Sequence, residues 1–158
     1  MVFPVAMAFA GAMDLLTMTI PNRISLALLA AFPCAALAVG MPWSTFVWHL
    51  GAGAAVLALG FLLFSLGWVG GGDAKLLAAA ALWLGFDNLL SYAVLVSILG
   101  GALALLVLSY RMFVPPLWIA HPAWAARLHD RKTGMPYGLA LAGAALWIYP
   151  STAWFVVT

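Results

Sequence analysis

The chain contains no glutamate, and its four acidic side chains are all aspartates. Charged residues make up only 6% of the 158 residues, whereas hydrophobic residues make up 67%. A water-soluble domain carries about 25% charged residues, with which it covers its surface. The composition therefore excludes a soluble globular protein and predicts a protein that lies in a lipid bilayer. The net charge of +2 does not indicate a nucleic-acid partner, because the six basic residues are scattered along the chain.

Cysteine is almost absent as well. The single residue of this type, Cys34, excludes an internal disulfide and a thiolate-rich zinc site. The three histidines, His49, His121 and His129, lack the spacing of metal ligands and are more simply interpreted as interfacial or loop residues. We therefore expect no metal site and no cofactor.

What the chain does have is a succession of apolar segments of about 20 residues, the length that crosses a bilayer. They predict an all-α membrane protein, a bundle of about six transmembrane helices that forms a single domain over residues 1–158. The first segment lacks basic residues before its apolar stretch, so we expect a span rather than a cleaved signal. A turn is expected at Asp87 and Asn88. The predicted spans cover residues 2–18, 23–40, 44–67, 74–86, 88–110 and 135–157.

The basic residues all fall on one side of this predicted bundle. The connections after the first, third and fifth spans share one face of the membrane, and they hold every lysine and arginine. The positive-inside rule then places these connections in the cytoplasm and both termini outside. The residues concerned are Arg23, Lys75, Arg111, Arg127, Arg131 and Lys132.

Aromatic residues mark the two membrane interfaces. The loop at residues 111–133 mixes tryptophans and prolines with basic residues, which fits either a segment on the cytoplasmic interface or a plain solvated loop. Five tryptophans are expected near the outer interface, where amphipathic rings anchor helices. They are Trp43, Trp48, Trp83, Trp147 and Trp154.

Helix length places two aspartates at the same depth. Asp14 follows the first 13 residues of the chain and Asp73 precedes the 13 residues of the fourth span, so each lies about 20 Å from the outer end. The hydrocarbon core is about 30 Å thick, which puts both in its cytoplasmic third. Asp87 and Asp130 fall in the predicted connections between spans and do not lie at the depth of Asp14 and Asp73. Because ionisable groups at membrane depth are costly and usually functional, we expect Asp14 and Asp73 to form a functional pair.

Each of the two aspartates also has a simpler interpretation. Asp73 could cap the N-terminus of the fourth span, and Asp14 could be an interfacial residue at a short helix end. Gly70 and Gly72, beside Asp73, permit the close approach of another chain segment or backbone angles closed to other residues. Lys75 follows Asp73 by two positions and points to a different helix face, so we do not expect an ion pair between them.

These residues resemble a known family. Gly70-x-Gly72-Asp73 opens a helix, and the earlier Asp14 is followed by Ile-Pro-Asn at residues 20–22. This pattern is similar to that of the type IV prepilin peptidases, which are GxGD-type intramembrane aspartyl proteases of bacterial inner membranes. The short chain looks like the CpaA/TadV-like branch, which processes Flp-type pilins.

A second segment extends the resemblance to the end of the chain. Pro136, Tyr137 and Gly138 resemble the Pro-Tyr-Gly segment of that branch, which contributes to the geometry of its site. Residues 15–19 depart from the family pattern because they lack the basic residues often found there. The longer members carry a four-cysteine region linked to N-methylation, which one cysteine cannot build, so we expect no methyltransferase activity.

The resemblance implies an aspartic endopeptidase with Asp14 and Asp73 as catalytic residues and with Gly70, Gly72, Lys75 and residues 136–138 around the substrate. Two close carboxylates hold one proton between them; the ionised member activates a water and the protonated member hydrogen-bonds the scissile carbonyl. The implied substrate is a pilin precursor, whose short cytoplasmic leader ends in glycine before an apolar helix.

Other functions remain open at this point. A small proton-coupled transporter or channel would also use an intramembrane aspartate, near the midplane of a discontinuous helix, but it does not require Ile-Pro-Asn or Pro-Tyr-Gly. A structural membrane subunit would leave the matched depth of the aspartates unexplained. A serine intramembrane protease is disfavoured, because Ser65 and Ser97 lack a histidine at the same depth.

Overall fold

A computed structural model describes residues 1–114, 123–130, 133–152 and 154 of the chain. Within these ranges all regular secondary structure is helical, which confirms the all-α class. A short 3-10 helix, Tyr149–Ser151, follows the last α-helix. The α-helices are α1 (Val2–Thr17), α2 (Asn22–Ala38), α3 (Trp43–Ser65), α4 (Gly71–Phe113), α5 (Ala123–His129) and α6 (Tyr137–Ile148).

Small residues set the closest helix contacts. A Cβ atom added at Gly11 of α1 would lie 2.8 Å from the Cβ of Ala142 on α6. On α3, a Cβ added at Gly53 would lie 3.0 Å from Leu82, and one at Gly60 would lie 3.1 Å from Ala74. Apolar burial between helices gives little driving force in lipid, so close backbone approach through small residues is what holds them together. These contacts fix α6 against α1 and the first part of α4 against α3.

The longest helix, α4, is interrupted at Gly85. This residue has φ 69° and ψ 174°, and Gly85 therefore separates two helical parts. His49 Nδ1 donates to the carbonyl of Leu82 at 2.9 Å, and Asn88 Nδ2 donates to the carbonyl of Leu84 at 3.1 Å. Side-chain donors therefore satisfy two carbonyl groups next to the interruption. The predicted turn at residues 87–88 is thus wrong in position, because both residues are helical.

The two parts of α4 run in opposite directions. In the first part, Asp73 lies at the Asp14 end of α1, whereas Trp83 stacks on Phe3 at the other end. In the second part, Gly100 lies against Tyr137 at the start of α6. The chain has therefore returned by Gly100 to the end of the bundle where Asp73 lies. This reversal keeps the order of spans that the sequence predicts while moving the turn to Gly85.

Two of the described helices are long and apolar enough to cross a membrane: α3 with 23 residues, and α4 with 43 residues counted across its interruption at Gly85. The helices α1 and α2 are apolar but shorter, with 16 and 17 residues. The helix α6 has 12 residues, and part of the predicted last span lies outside the described residues. The structure supports a helical membrane protein, and the full bundle of six spans stays a prediction.

Aromatic side chains pack at the end of the bundle away from Asp14 and Asp73. Phe3 stacks on Trp83 and on Tyr149, with ring centroids 5.4 Å apart in each case. Trp154 Nε1 donates to the carbonyl of Trp83 at 2.6 Å. Trp83 and Trp154 are therefore buried core residues rather than interfacial anchors. Trp43, Trp48 and Trp147 are exposed, as anchors would be.

The basic loop folds back on the Asp14 end of the bundle. Arg111 Nη2 donates to the carbonyls of Thr133 and Gly134 at 3.1 and 3.0 Å, and its Nε donates to that of Leu128 at 2.8 Å. Arg127 Nη2, on α5, donates to the carbonyl of Leu16 at the end of α1. The described part of this loop is thus tied to the helix ends, while residues 115–122 and 131–132 lie outside the described residues.

The interruption at Gly85 generates a stability prediction. Alanine there would have to adopt a backbone conformation that is almost confined to glycine, at a cost of about 1–3 kcal/mol, and its Cβ would lie 2.9 Å from the His49 ring. We expect Gly85→Ala to lower the Tm of the detergent-solubilised protein by several degrees. Gly101→Ala is the control, since nothing lies within 4 Å of its added Cβ. Equal Tm values for the two variants would contradict the conclusion that residue 85 must be glycine.

Candidate functional site

Asp14 lies in the last turn of α1. The helix ends three residues later, because Met18 adopts the left-handed conformation at φ 55° while its N–H still bonds to the Asp14 carbonyl at 2.8 Å. The chain then turns through Pro21 into α2. The Asp14 side chain is only 6% exposed. This burial excludes the simpler interpretation in which Asp14 is an interfacial residue that reaches into solvent.

The partner of Asp14 comes from the other end of the sequence. Gly138 donates its backbone N–H to Asp14 Oδ2 at 2.7 Å. Gly138 is the second residue of α6, so its N–H is one of the first four, which have no acceptor within the helix. A Cβ at this position would lie 2.8 Å from Asp14 Oδ2 and from Ile20 Cδ1. Glycine is therefore required at residue 138 for the carboxylate to approach the helix N-terminus.

The two residues before Gly138 fix the start of α6. Pro136 is fully buried and is the N-cap of the helix. Tyr137 is 38% exposed, and its ring lies on Gly100 of α4, where an added Cβ would be 2.5 Å from the hydroxyl oxygen. Tyr137 is thus directed towards α4 rather than towards the aspartates. Within this segment, Gly138 is the residue whose N–H bonds Asp14.

Asp73 lies in the first turn of α4. The N-cap of this helix is Gly70, and no side chain caps it. The simpler interpretation of Asp73 as the N-cap residue is therefore wrong, since Asp73 lies three residues further along. Its backbone stays in the helix while its side chain lies beside Gly70 and lines a cavity that Asp14 also lines.

The two carboxylates share one cavity of about 340 Å³. Asp14 and Asp73 line it together with the α1–α2 turn and the three glycines that open α4. Asp87 is exposed beside the interruption of α4, and Asp130 follows α5, so neither belongs to this cavity. The lining residues are Asp14, Met18, Thr19, Ile20, Asn22, Gly70, Gly71, Gly72 and Asp73.

The glycines before Asp73 matter because they have no side chain, not because they adopt unusual backbone angles. Of the two explanations open from the sequence, positive φ is wrong, because none of these glycines has one. A Cβ added at Gly70 would lie 3.0 Å from Asp73 Oδ2, and one at Gly72 would lie 3.3 Å from Ile20 Cβ. Small residues at these positions therefore let the α1–α2 turn and the Asp73 carboxylate approach the start of α4.

Lys75 lies outside the aspartate cavity. Its Nζ donates to Asn22 Oδ1 at 3.0 Å, and the expectation that it does not pair with Asp73 stays a prediction. Asn22, a cavity residue, was not singled out as a site residue from the sequence, although it belongs to the Ile-Pro-Asn motif. Ile20 was also missed, and nothing in its local sequence indicates its contacts with α4 and α6. The motif was the available signal that both positions matter, but it does not indicate what they contact.

A sequence profile of the type IV leader peptidase family matches residues 1–105 of the chain. The matched region contains Asp14, the Ile-Pro-Asn sequence and Gly70-x-Gly72-Asp73, and it ends before the Pro-Tyr-Gly segment. No curated protein and no solved structure matches the chain. The family that the motifs indicate is thereby confirmed.

Proposed function

Because the chain belongs to the type IV leader peptidase family, we propose that it removes the short cytoplasmic leader from Flp-type pilin precursors. The observation that carries this proposal is that Asp14 and Asp73 line one cavity. The protein acts as an aspartic endopeptidase without metal or other cofactor, and residues 1–158 form one transmembrane peptidase domain. It transfers no methyl group.

The reaction proceeds by direct attack of water on the peptide bond. The ionised carboxylate takes a proton from a water held between the two aspartates, and the water oxygen bonds to the scissile carbonyl carbon. The protonated carboxyl hydrogen-bonds the carbonyl oxygen, where negative charge develops. The C–N bond then breaks as the leaving nitrogen receives the proton taken from water. Atoms and charge balance without any further reactant.

The hydrogen bond from Gly138 supports an assignment of the two roles. An N–H donor needs an acceptor lone pair, and Asp14 Oδ2 supplies it at 2.7 Å; bonds of this kind favour a charged carboxylate, as does the N-terminus of a helix. Asp73 also lies near a helix N-terminus, but no described N–H group bonds its side chain. We therefore assign Asp14 as the ionised member that activates water and Asp73 as the member that holds the proton.

The remaining site residues position the two aspartates and the substrate. Gly70 and Gly72 keep the start of α4 free of side chains on the cavity side, so a substrate backbone can reach Asp73. Pro136, Tyr137 and Gly138 set the N-terminus of α6 against Asp14. Lys75 contacts the substrate beyond the aspartates, at the boundary with the membrane interior.

The cavity lies at the cytoplasmic face of the bacterial inner membrane, and both termini lie outside. Arg127 bonds the carbonyl of Leu16 near Asp14, and Arg111 bonds that of Leu128 on the same helix as Arg127. Both contacts support this orientation, because basic residues accumulate on the cytoplasmic side. The same orientation brings a cytoplasmic leader directly to the aspartates. A proton-coupled transporter is not favoured, because the family match and the shared cavity both fit a peptidase.

The catalytic pair is tested by near-isosteric substitutions. Asp14→Asn and Asp73→Asn should each reduce leader cleavage of a co-expressed Flp-type pilin precursor to background, since either change removes one half of the shared-proton pair. Asp87→Asn and Asp130→Asn, which alter aspartates outside the cavity, should stay active. The precursor and mature masses are read by mass spectrometry at matched membrane levels of each variant. Substantial cleavage by either cavity variant would refute the assignment.

The role assignment has a readout that does not depend on cleavage. Hydrophobic carbodiimides react with protonated carboxyl groups, so dicyclohexylcarbodiimide should modify Asp73 in preference to Asp14. The modified residue is identified by peptide mass spectrometry of the labelled protein. The Asp73→Asn variant should lose this adduct, while Asp14→Asn should keep it. A preferential adduct on Asp14 would reverse the roles and leave the peptidase assignment intact.

The orientation predicts opposite results for two reporter fusions. An alkaline phosphatase fused after Thr158 should be active, because that enzyme matures only outside the cytoplasm, whereas a fusion at Asp130 should be inactive. A green fluorescent protein at the same two positions provides the complementary control, since it fluoresces in the cytoplasm. A cytoplasmic result for the Thr158 fusion would exclude the arrangement of six spans.

A further inference from the structure

A second cavity, of about 540 Å³, opens between α2, α3 and α4 next to the candidate active site. We define it as the interhelical groove. Each of the three helices contributes four lining residues at spacings of i, i+3, i+4 and i+7, beginning at Asn22 on α2, Leu50 on α3 and Lys75 on α4. Residues at these spacings form one stripe along a helix. The groove is therefore a trough that runs along the helix axes.

The floor of the interhelical groove is made of small residues. Gly53 and Ala54 of α3 and Ala78 and Ala79 of α4 line its central part. In membranes, small residues of this kind mark surfaces where helices pack closely. The groove thus resembles a surface on which a helix packs, and none of the described helices occupies it.

The polar groups of the groove gather at one end. Asn22 and Lys75, which are hydrogen-bonded to each other at 3.0 Å, lie there with Ser25 one turn above Asn22. The Ser25 hydroxyl is the buried side-chain polar atom that has no hydrogen-bond partner among the described residues. A buried hydroxyl without a partner is costly. With Asn22 and Lys75 at this end, the groove is suited to an occupant that is polar here and apolar along the rest.

The polar end of the groove is continuous with the aspartate cavity. Asn22 lines both, and Lys75 and Asp73 are two residues apart on α4. A peptide whose scissile bond lies between Asp14 and Asp73 would pass Asn22 and enter the groove with its following residues. Under the proposed function, those residues begin an apolar helix, which is the chemistry that the groove accommodates.

We propose that the interhelical groove holds the first turns of the apolar helix of the pilin precursor, and that this contact positions the scissile bond. This inference rests on the proposed function. A phospholipid acyl chain would also find apolar surface here, but it does not require the floor of glycine and alanine or continuity with a peptide-cleaving cavity. The helix of the precursor accounts for both features.

Adjacent alanines on α3 provide a matched test. Ala54 lines the groove and Ala55 does not, and both are exposed. We expect Ala54→Phe to fill the trough and to lower kcat/KM for the full-length precursor about tenfold or more, because the precursor helix can then no longer place the scissile bond between the aspartates. Ala55→Phe should behave as the wild type. Equal kinetics for the two variants, with an active wild type, would overturn the groove proposal and leave the peptidase function standing.

Photo-crosslinking identifies the occupant directly. Leu57 lines the groove and is 49% exposed, while Leu59 lies outside it at 52% exposed. With p-benzoylphenylalanine at residue 57 of the Asp73→Asn variant, we expect a crosslink to the apolar helix of a Flp-type pilin precursor, mapped by mass spectrometry. The same probe at residue 59 should capture lipid.

The other outcomes of the crosslinking experiment contradict the proposal. Capture of only lipid, or of a second copy of this chain, at residue 57 would show that the precursor helix does not occupy the groove. Equal capture of the precursor at residues 57 and 59 would show a contact without specificity for the groove. An unmodified enzyme that fails to cleave the precursor would instead refute the proposed function itself.

Discussion

The hydrogen bond between Gly138 and Asp14 is the contact on which the arrangement of the site depends. A buried carboxylate in a membrane protein is costly unless a donor satisfies it, and the N-terminus of α6 provides that donor at 2.7 Å. The approach is possible only because residue 138 has no side chain. It joins the first helix of the chain to the last described one. The position of Asp14 is therefore a property of the tertiary structure rather than of α1 alone.

The second aspartate is positioned by different contacts. Asp73 belongs to the first part of α4, which packs on α3 where Gly53 and Gly60 allow close approach. The reversal at Gly85 ends this part after about four turns, so that its other end meets the aromatic residues around Trp83. In lipid such shape-dependent packing replaces the hydrophobic effect as the source of specificity. The aspartate pair thus depends on two sets of close helix contacts, and Ile20 touches both α4 and α6.

Much of this arrangement could be predicted from local sequence. The helical class follows from composition, and helix length alone places Asp14 and Asp73 at equal depth, which agrees with their common cavity. The turn could not be located, because Asp-Asn is a common turn signal and the positive φ of Gly85 is invisible within an apolar run. Contacts between residues far apart in the sequence could not be predicted from local sequence either. Nothing near Lys75 indicates that Asn22, 53 residues earlier, is its hydrogen-bond partner.

The two cavities meet at Asn22, and this junction has a physical consequence for cleavage. Peptide hydrolysis needs water and charge, which the aspartate cavity accommodates among carboxylates and backbone groups. An apolar helix needs the opposite environment, which the interhelical groove offers along most of its length. A substrate that satisfies both must change from polar to apolar where Asn22 and Lys75 lie. In the proposed mechanism, the position of that change selects the scissile bond, so the enzyme recognises a polarity boundary rather than a long sequence motif.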